Sequence, residues 1–231
     1  MTPAFILHRW PFQETSMLLE LFTRDAGRVR VIAKGARSAK NKWRGALQAF
    51  TELDVLYQGR GELATLTQAD SLKSYDLQGH FLYSGFYLNE LVQRVLPERY
   101  VNTHVFDDYR HTLGLLQQKV ALEPVLRKFE WQLLQAMDIN IDWLNEAECG
   151  EPLHASRFYQ LQPERGFLLQ PNVETEQPQA LIFSGQNIIA MADFQLDTEQ
   201  RLRYFKWIMR AVLQPHIGSK PLQSRNLFSQ N

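Results

Sequence analysis

Two hydrophobic periods divide the chain. Up to about residue 78, short apolar runs are separated by turn residues, whereas beyond it apolar residues recur at spacings of three and four. The first pattern predicts β-strands and the second predicts α-helices. We therefore predict two domains, covering residues 1–78 and 79–231.

Short apolar runs predict the strands of the first domain. They cover residues 3–10, 15–24, 27–35, 50–57 and 62–74. Turn residues separate them at Asp25-Ala-Gly27 and Gly59-Arg-Gly61. Five short strands fit the closed barrel that binds oligonucleotides and oligosaccharides, the OB fold, and an SH3-like barrel or a split sandwich would give a similar pattern.

Helical spacing predicts a second domain that is mainly α-helical. The predicted helices cover residues 82–96, 105–116, 126–137 and 197–214, and Pro215 helps to end the last one. Between residues 140 and 184 the spacing loosens into Pro, Gly and short strand-like pieces, which indicates a small irregular insertion. The whole chain is therefore predicted to have an α+β fold.

Composition excludes several classes of protein. The chain has 25 basic and 25 acidic residues, and no apolar run approaches the length of a membrane span. No secretory signal pattern is present, so we expect a cytoplasmic protein. The one cysteine, Cys149, excludes an intramolecular disulfide framework and a multi-cysteine zinc site.

A basic cluster stands out on this neutral background. Between Arg24 and Arg44 lie eight Lys or Arg residues and a single acid, Asp25. Strand alternation places Arg28, Arg30 and Lys34 opposite Val29, Val31 and Ala33, and a basic loop with Trp43 follows. Such a surface is typical of binding to phosphate backbones, although a solvated loop is the simpler interpretation. The candidate DNA-binding residues are Arg28, Arg30, Lys34, Arg37, Lys40, Lys42, Trp43 and Arg44, with Trp43 either stacking on bases or packing under its own loop.

The C-terminal helix carries a second candidate phosphate surface. Arg203, Lys206 and Arg210 share one side of it near Trp207, and positions 201–231 hold six basic residues and no acid. A solvated helix face explains the same pattern equally well.

Known catalytic motifs are missing from the sequence. It contains no nucleophile elbow, Walker loop, paired-histidine zinc helix or dinucleotide fingerprint, and we predict neither a cofactor nor catalytic residues. A metal-dependent nuclease would need scattered carboxylates to converge, such as Asp54, Asp70, Asp107 and Asp108. A generic module that binds single-stranded DNA or RNA through the same barrel is the other alternative.

Several short segments resemble the RecO family of bacterial DNA repair proteins. They include Ala4-Phe-Ile-Leu-His8, Glu14-Thr-Ser16, Ala33-Lys-Gly-Ala-Arg37 and Gly45-Ala-Leu-Gln48 in the first domain. In the second domain they include Tyr83-Ser-Gly-Phe-Tyr-Leu-Asn-Glu-Leu91, Leu126-Arg-Lys-Phe-Glu130 and Gly218-Ser-Lys-Pro-Leu-Gln-Ser-Arg225. Their order and spacing make the resemblance specific and extend it over nearly the whole chain.

This resemblance implies a recombination mediator without enzymatic activity. Such a protein binds single- and double-stranded DNA, anneals complementary strands and, with RecR, helps to load recombinase onto strands coated by single-stranded-DNA-binding protein. It works in the bacterial cytoplasm, associated with the nucleoid.

The resemblance also implies a partner-binding site in the second domain. The acidic, apolar tail of single-stranded-DNA-binding protein would contact Arg127 and Lys128 beside an apolar patch of Phe129 and Leu133. Alternatively, Phe129 belongs to the core and Arg127 is solvated.

Many family members carry four cysteines in the insertion, whereas this chain keeps only Cys149, which implies an insertion that folds without metal.

Overall fold

A closed barrel of five strands forms the N-terminal part of the protein. The computed structural model describes residues 1–38, 41, 43, 45–59, 61 and 63–229. The strands are β1 (Thr2–Phe12), β2 (Ser16–Thr23), β3 (Gly27–Ala33), β4 (Thr51–Gln58) and β5 (Leu63–Ser74). They close in the order β1-β2-β3-β5-β4, with β3 and β5 parallel and the other pairs antiparallel. The predicted OB fold is confirmed.

Alternation along the strands fills the barrel. Side chains at every second position point inward, so each strand supplies apolar residues to one core. The buried members include Ala4, Ile6, Leu19, Leu21, Val29, Val31, Ala33, Leu53, Val55 and Leu66. A bulge in β1 places Leu7 between Ile6, which pairs with Leu21, and His8, which pairs with Glu20. Beyond the bulge, alternate residues from His8 onward therefore lie on the outer face.

Three helices cover part of the outer face of the barrel. They are α1 (Gly79–Val95), α2 (Thr103–Gln117) and α3 (Leu122–Ala136). Phe5 and Phe22 point outward from β1 and β2 and pack against Phe106 of α2, with ring centroids 5.4 and 5.3 Å apart. The barrel therefore has a second apolar layer outside its own core. This layer lies between the sheet and the helices.

The C-terminal segment returns to the same compact unit. Residues 1–136 and the chain from Lys220 onward form one unit, whereas Met137–Ser219 form another. The Glu90 carboxylate on α1 accepts hydrogen bonds from the backbone N–H groups of Gln223 and Ser224, at 2.9 and 2.8 Å. Leu222 is buried, and a 3-10 helix, Gln223–Ser229, follows it. The first unit is thus assembled from both ends of the chain.

The second unit combines a small sheet with two helices. The sheet order is β7-β6-β8, with β6 at Phe158–Gln162, β7 at Gly166–Leu169 and β8 at Ile182–Ser184. A 3-10 helix (Pro178–Ala180), α4 (Gly185–Ala192) and α5 (Glu199–Leu213) complete it. Trp143 stacks on Phe205 of α5, with ring centroids 5.4 Å apart. This packing places Trp143, from the irregular insertion, and helix α5 in one core.

Glu176 organises the polar side of the second unit. One carboxylate oxygen accepts bonds from the Ser184 hydroxyl and Asn187 Nδ2, at 2.8 and 2.7 Å. The other oxygen accepts a bond from the Tyr204 hydroxyl at 2.8 Å. Burial raises the pKa of Glu176, but these bonds and one from the Ser184 backbone outweigh it, so the pKa lies below its ordinary value.

Most sequence predictions of secondary structure agree with the structure. The five barrel strands and the helices at 82–96, 105–116, 126–137 and 197–214 are confirmed, with ends shifted by a few residues. Helix α4 was not predicted, because eight residues span only about two turns and show little periodicity. Among the described residues, no helix is both long and apolar enough to cross a membrane. The domain boundary at residue 78 stays a prediction.

Candidate nucleic-acid interface

Strand β3 contributes side chains to both the interior and the outer face of the barrel. Val29, Val31 and Ala33 lie in the core. Arg28 and Arg30 point to the opposite face, as predicted, but they meet different surroundings along the strand. Arg30 is exposed, whereas Arg28 is buried. The position of the helices against the sheet decides which of the two cations reaches solvent.

Arg28 was wrongly predicted to contact DNA. Its Nε donates to Glu20 Oε1 at 2.7 Å, and its guanidinium also donates to the backbone carbonyl of Leu96. Gln93 Nε2 donates to the other oxygen of Glu20 at 2.8 Å. Because helix α1 and the residue after it cover this end of β3, Arg28 joins the helical layer to the barrel.

The remaining described cations of the cluster lie at the surface. Arg30 forms an ion pair with Glu98 at 2.6 Å, and both side chains are more than 40% exposed (45 and 42%). Lys34 is exposed directly after β3. Arg37 is exposed beside the turn between β1 and β2, where its backbone N–H donates to the Thr15 carbonyl at 2.8 Å. Lys40, Lys42 and Arg44 lie outside the described residues.

Trp43 was wrongly predicted to offer a stacking surface. Its side chain is 5% exposed and belongs to the barrel core, together with Ala36 and Leu47 of the same loop. Its Nε1 donates to the Lys34 carbonyl at 3.1 Å. Burial of a large indole with its N–H satisfied stabilises the loop against the barrel, so the alternative interpretation of packing is the correct one.

An aromatic pair outside the predicted set of site residues lies on the outer face of the barrel. The rings of His8 and Trp10 are stacked, with centroids 4.2 Å apart and planes 28° apart. His8 is exposed and Trp10 is half-buried. The alternation His8, Trp10, Phe12 at the end of β1 was the signal in the sequence, because three rings at every second position share one face of a strand.

The predicted partner site on α3 is largely buried. Phe129 and Leu133 are core residues with no exposed surface, so the expected apolar patch is wrong. Arg127 is 3% exposed and pairs with Glu130 at 2.8 Å, which corrects its predicted role as a surface contact. Glu130 also accepts a hydrogen bond from Tyr87 of α1. Only Lys128 among the four predicted residues is exposed.

The second basic surface lies on α5 in the second unit. Arg203 and Arg210 are exposed and Lys206 is half-buried. The guanidinium carbon of Arg203 lies 5.8 Å from the centroid of the Trp207 ring, a cation–π arrangement. These cations therefore share one region of the helix, as predicted, and their role in DNA binding stays a prediction.

The Glu146 carboxylate caps backbone N–H groups in the turn that contains Cys149. Glu146 Oε2 accepts from the backbone N–H groups of Glu148 and Cys149, at 2.8 and 2.7 Å. The hydrogen bond between the thiol and Glu146 raises the pKa of Cys149. Across the described residues, no three His, Cys, Asp or Glu side chains are grouped as metal ligands would be.

Two of the four carboxylates considered for a nuclease, Asp107 and Asp108, are held by other contacts. Asp107 binds Arg24 at 3.0 Å and Arg110 at 2.7 Å, and the hydrogen bond from Arg24 holds the pKa of Asp107 below its ordinary value. Asp108 accepts from Gln132 at 2.8 Å. Asp107 and Asp108 therefore take part in ion pairs and hydrogen bonds. Asp54 and Asp70 lie opposite each other on β4 and β5, and Asp70 accepts a hydrogen bond from Gln68 at 2.7 Å.

Two family models match the chain. "Recombination protein O N terminal" matches residues 1–75, and "Recombination protein O C terminal" matches residues 78–226. The first covers the barrel, and the second covers the helices and the second compact unit.

Curated relatives agree with these matches. The DNA repair protein RecO of Idiomarina loihiensis is 43% identical over 97% of this chain and 96% of its own length. The RecO proteins of Haemophilus influenzae and Klebsiella pneumoniae are each 40% identical, over 99 and 98% of this chain and 95 and 91% of their own lengths. Such identity over nearly full length accompanies the OB barrel described above. The chain therefore belongs to the RecO family of DNA repair proteins.

Proposed function

We propose that this protein is a recombination mediator. It binds single- and double-stranded DNA, anneals complementary strands and, with RecR, helps to load recombinase onto strands coated by single-stranded-DNA-binding protein. Its place of action is the nucleoid in the bacterial cytoplasm. Membership of the RecO family supports this role, and the barrel with exposed cations supports the DNA contact.

One observation supports the DNA contact most directly. Arg30, Lys34 and Arg37 are exposed around one end of β3 and the neighbouring turn of β1 and β2, whereas the nearby acid Glu20 is neutralised by Arg28. The exposed Glu98 offsets the charge of Arg30, so Lys34 and Arg37 give this surface its positive charge, although the whole chain has no net charge. Each phosphate neutralised by such a cation releases condensed counterions, which supplies affinity without base-specific contacts.

Annealing needs no bond-making by the protein. Two strands pair when their phosphate charges are neutralised and their bases stay accessible, and exposed cations on a rigid barrel meet both requirements. The proposed partner contact involves Lys128, the exposed residue of the α3 set, and a carboxylate of the tail of single-stranded-DNA-binding protein.

An annealing assay tests the proposed function. Two complementary fluorescent oligonucleotides are coated with the cognate single-stranded-DNA-binding protein and mixed with or without this protein, in the absence of nucleotide. We expect faster pairing with the wild type and slower pairing with a Lys34→Glu, Arg37→Glu variant. Unchanged pairing by a folded wild type that binds bare strands would leave only a generic nucleic-acid-binding module, and competition by a matched RNA strand would then define its preference.

The partner contact is tested separately. We expect a peptide with the tail sequence to bind the Lys128→Ala variant more weakly than the wild type, with Lys119→Ala as a control at another exposed lysine of the first unit. Equal affinity of the peptide for wild type and Lys128→Ala would reject this site.

A further inference from the structure

We propose that His8 and Trp10 form a platform on which an unpaired nucleobase stacks. The inference rests on the proposed function, because it concerns how the same barrel holds a single strand. It assigns the aromatic contact to β1, since the aromatic residue of the basic loop, Trp43, is buried. Stacking on an aromatic ring suits a protein that binds strands of any sequence, because every base has a π-face.

The register of the sheet places this platform beside exposed cations. His8 pairs with Glu20, and Glu20 pairs with Arg30, so these three residues form one row of the sheet, with the buried Glu20 in the middle. Trp10 pairs with Leu18, which in turn pairs with Ile32, in the next row. Neighbouring strands lie about 4.8 Å apart, so Arg30 lies about two strand spacings from His8. A base stacked on the rings and a phosphate at Arg30 would thus be about two strand spacings apart.

A groove beside the platform has the size and lining that a base requires. Its volume is about 400 Å³, within the usual range of about 300 to 1,000 Å³ for small-molecule pockets. His8 and Trp10 line one side, Phe86 and Gln93 of α1 line another, and Leu227 of the C-terminal segment contributes as well. Aromatic and aliphatic walls favour a flat ring, and the amide of Gln93 is a polar group at the same groove.

Charge favours a nucleic-acid strand over an acidic or neutral peptide as the occupant. Two carboxylates beside the platform are occupied, since Glu20 opposite His8 binds Arg28 and Glu90 in the groove binds Arg94 and Ser224. Arg30 pairs with Glu98 at an exposed position, where an ion pair contributes little and exchanges readily for a phosphate. The surface that remains beside the rings is therefore cationic and aromatic, the combination typical of single-strand binding.

A comparison of two strands of equal charge tests the platform. The probes are an oligothymidine and an abasic deoxyribose-phosphate strand of the same length. We expect the wild type to bind oligothymidine about 5- to 150-fold more tightly, and Trp10→Ala to lose this preference. Trp10→Phe keeps the preference but loses the fluorescence quenching that oligothymidine causes in the wild type. Trp131→Ala, at a half-buried tryptophan on α3, serves as the matched control.

The same experiment separates the platform from the proposed function. Lys34→Glu lowers affinity for both strands by the same factor, because it removes only a phosphate contact. If the wild type binds both strands and Trp10→Ala keeps the full preference for oligothymidine, the platform is overturned and the proposed function remains intact. Failure of the folded wild type to bind either strand would instead overturn the DNA contact itself.

Discussion

Residues of the same type have different roles in this protein because their surroundings differ. Arg28 and Arg30 are two positions apart on β3 and point to the same face, yet Arg28 is 8% exposed, whereas the side chain of Arg30 is 45% exposed. Trp43 and Trp10 differ in the same way, since one closes the barrel core and the other lies on the outer face. Residue identity alone therefore does not define the candidate DNA surface.

Charge reversal at the exposed cations tests that surface. We expect Lys34→Glu combined with Arg37→Glu to weaken binding of a short single strand and to reduce the slope of log affinity against log salt by about 0.7 for each lost phosphate contact. Fluorescence anisotropy over a salt series measures both quantities. A Lys119→Glu, Arg165→Glu variant changes the net charge equally at exposed positions outside the barrel strands and their loops. Equal slopes for wild type and the Lys34, Arg37 variant would contradict the assignment.

Glu176 makes the second unit sensitive to acid. Its pKa is lowered in the folded state, so its contribution to stability is complete above the ordinary carboxyl pKa and is lost as the pH falls through the lowered value. We expect Glu176→Gln to reduce the free energy of unfolding by about 1–3 kcal/mol at neutral pH, because four neighbouring side chains lose a charged acceptor.

Urea denaturation at several pH values measures the Glu176 effect. The difference between wild type and Glu176→Gln should stay constant above the ordinary carboxyl pKa and shrink as the solution becomes more acidic. A difference that does not depend on pH would show that the charge of Glu176 has no part in its role.

At the scale of elements, polar residues join the barrel to its helical layer. Glu20 of β2 and Arg28 of β3 meet beneath α1, and Gln93 of α1 completes the set. Asn89 of α1 likewise donates to the Leu7 carbonyl at 3.1 Å, next to the bulge in β1. These contacts orient α1 on the sheet, and they leave the His8 and Trp10 end of the face uncovered.

Removing the buried arginine should destabilise the first unit. We expect Arg28→Met to reduce the free energy of unfolding by about 3–5 kcal/mol, because Glu20 would remain buried without its counter-charge. Arg30→Met serves as the control, since its exposed pair with Glu98 contributes about 0–1 kcal/mol. Chemical denaturation monitored by circular dichroism measures both variants, and equal losses of stability would contradict the structural role of Arg28.

At the scale of the whole molecule, the chain leaves the first compact unit and later returns to it. Residues 1–136 and the segment from Lys220 onward belong together, although Met137–Ser219 lie between them in sequence. Phe228 stacks on His80 and makes an edge contact with Tyr83, with ring centroids 6.2 and 5.7 Å apart. The C-terminal segment therefore contributes to the stability of the unit that carries the barrel.

Substitution in the returning segment tests this arrangement. Leu222 is 1% exposed, so we expect Leu222→Ala to lower the free energy of unfolding of the first unit by about 2–5 kcal/mol. Lys220→Ala, at an exposed position two residues earlier, should have little effect. Amide hydrogen exchange in the barrel strands measures the loss of stability in the first unit. Unchanged protection of these amides in Leu222→Ala would show that the C-terminal segment does not stabilise this unit.

The sequence by itself determined the strands, the longer helices and the family, because these depend on local spacing and on the order of short motifs. The tertiary structure decided which cations and aromatic rings remain at the surface. Burial of Arg28 depends on Leu96, and the C-terminal contacts join Glu90 to Ser224 across 134 positions. A side chain's exposure is set by whatever packs against it in space, and such neighbours leave no periodic signal in the local sequence.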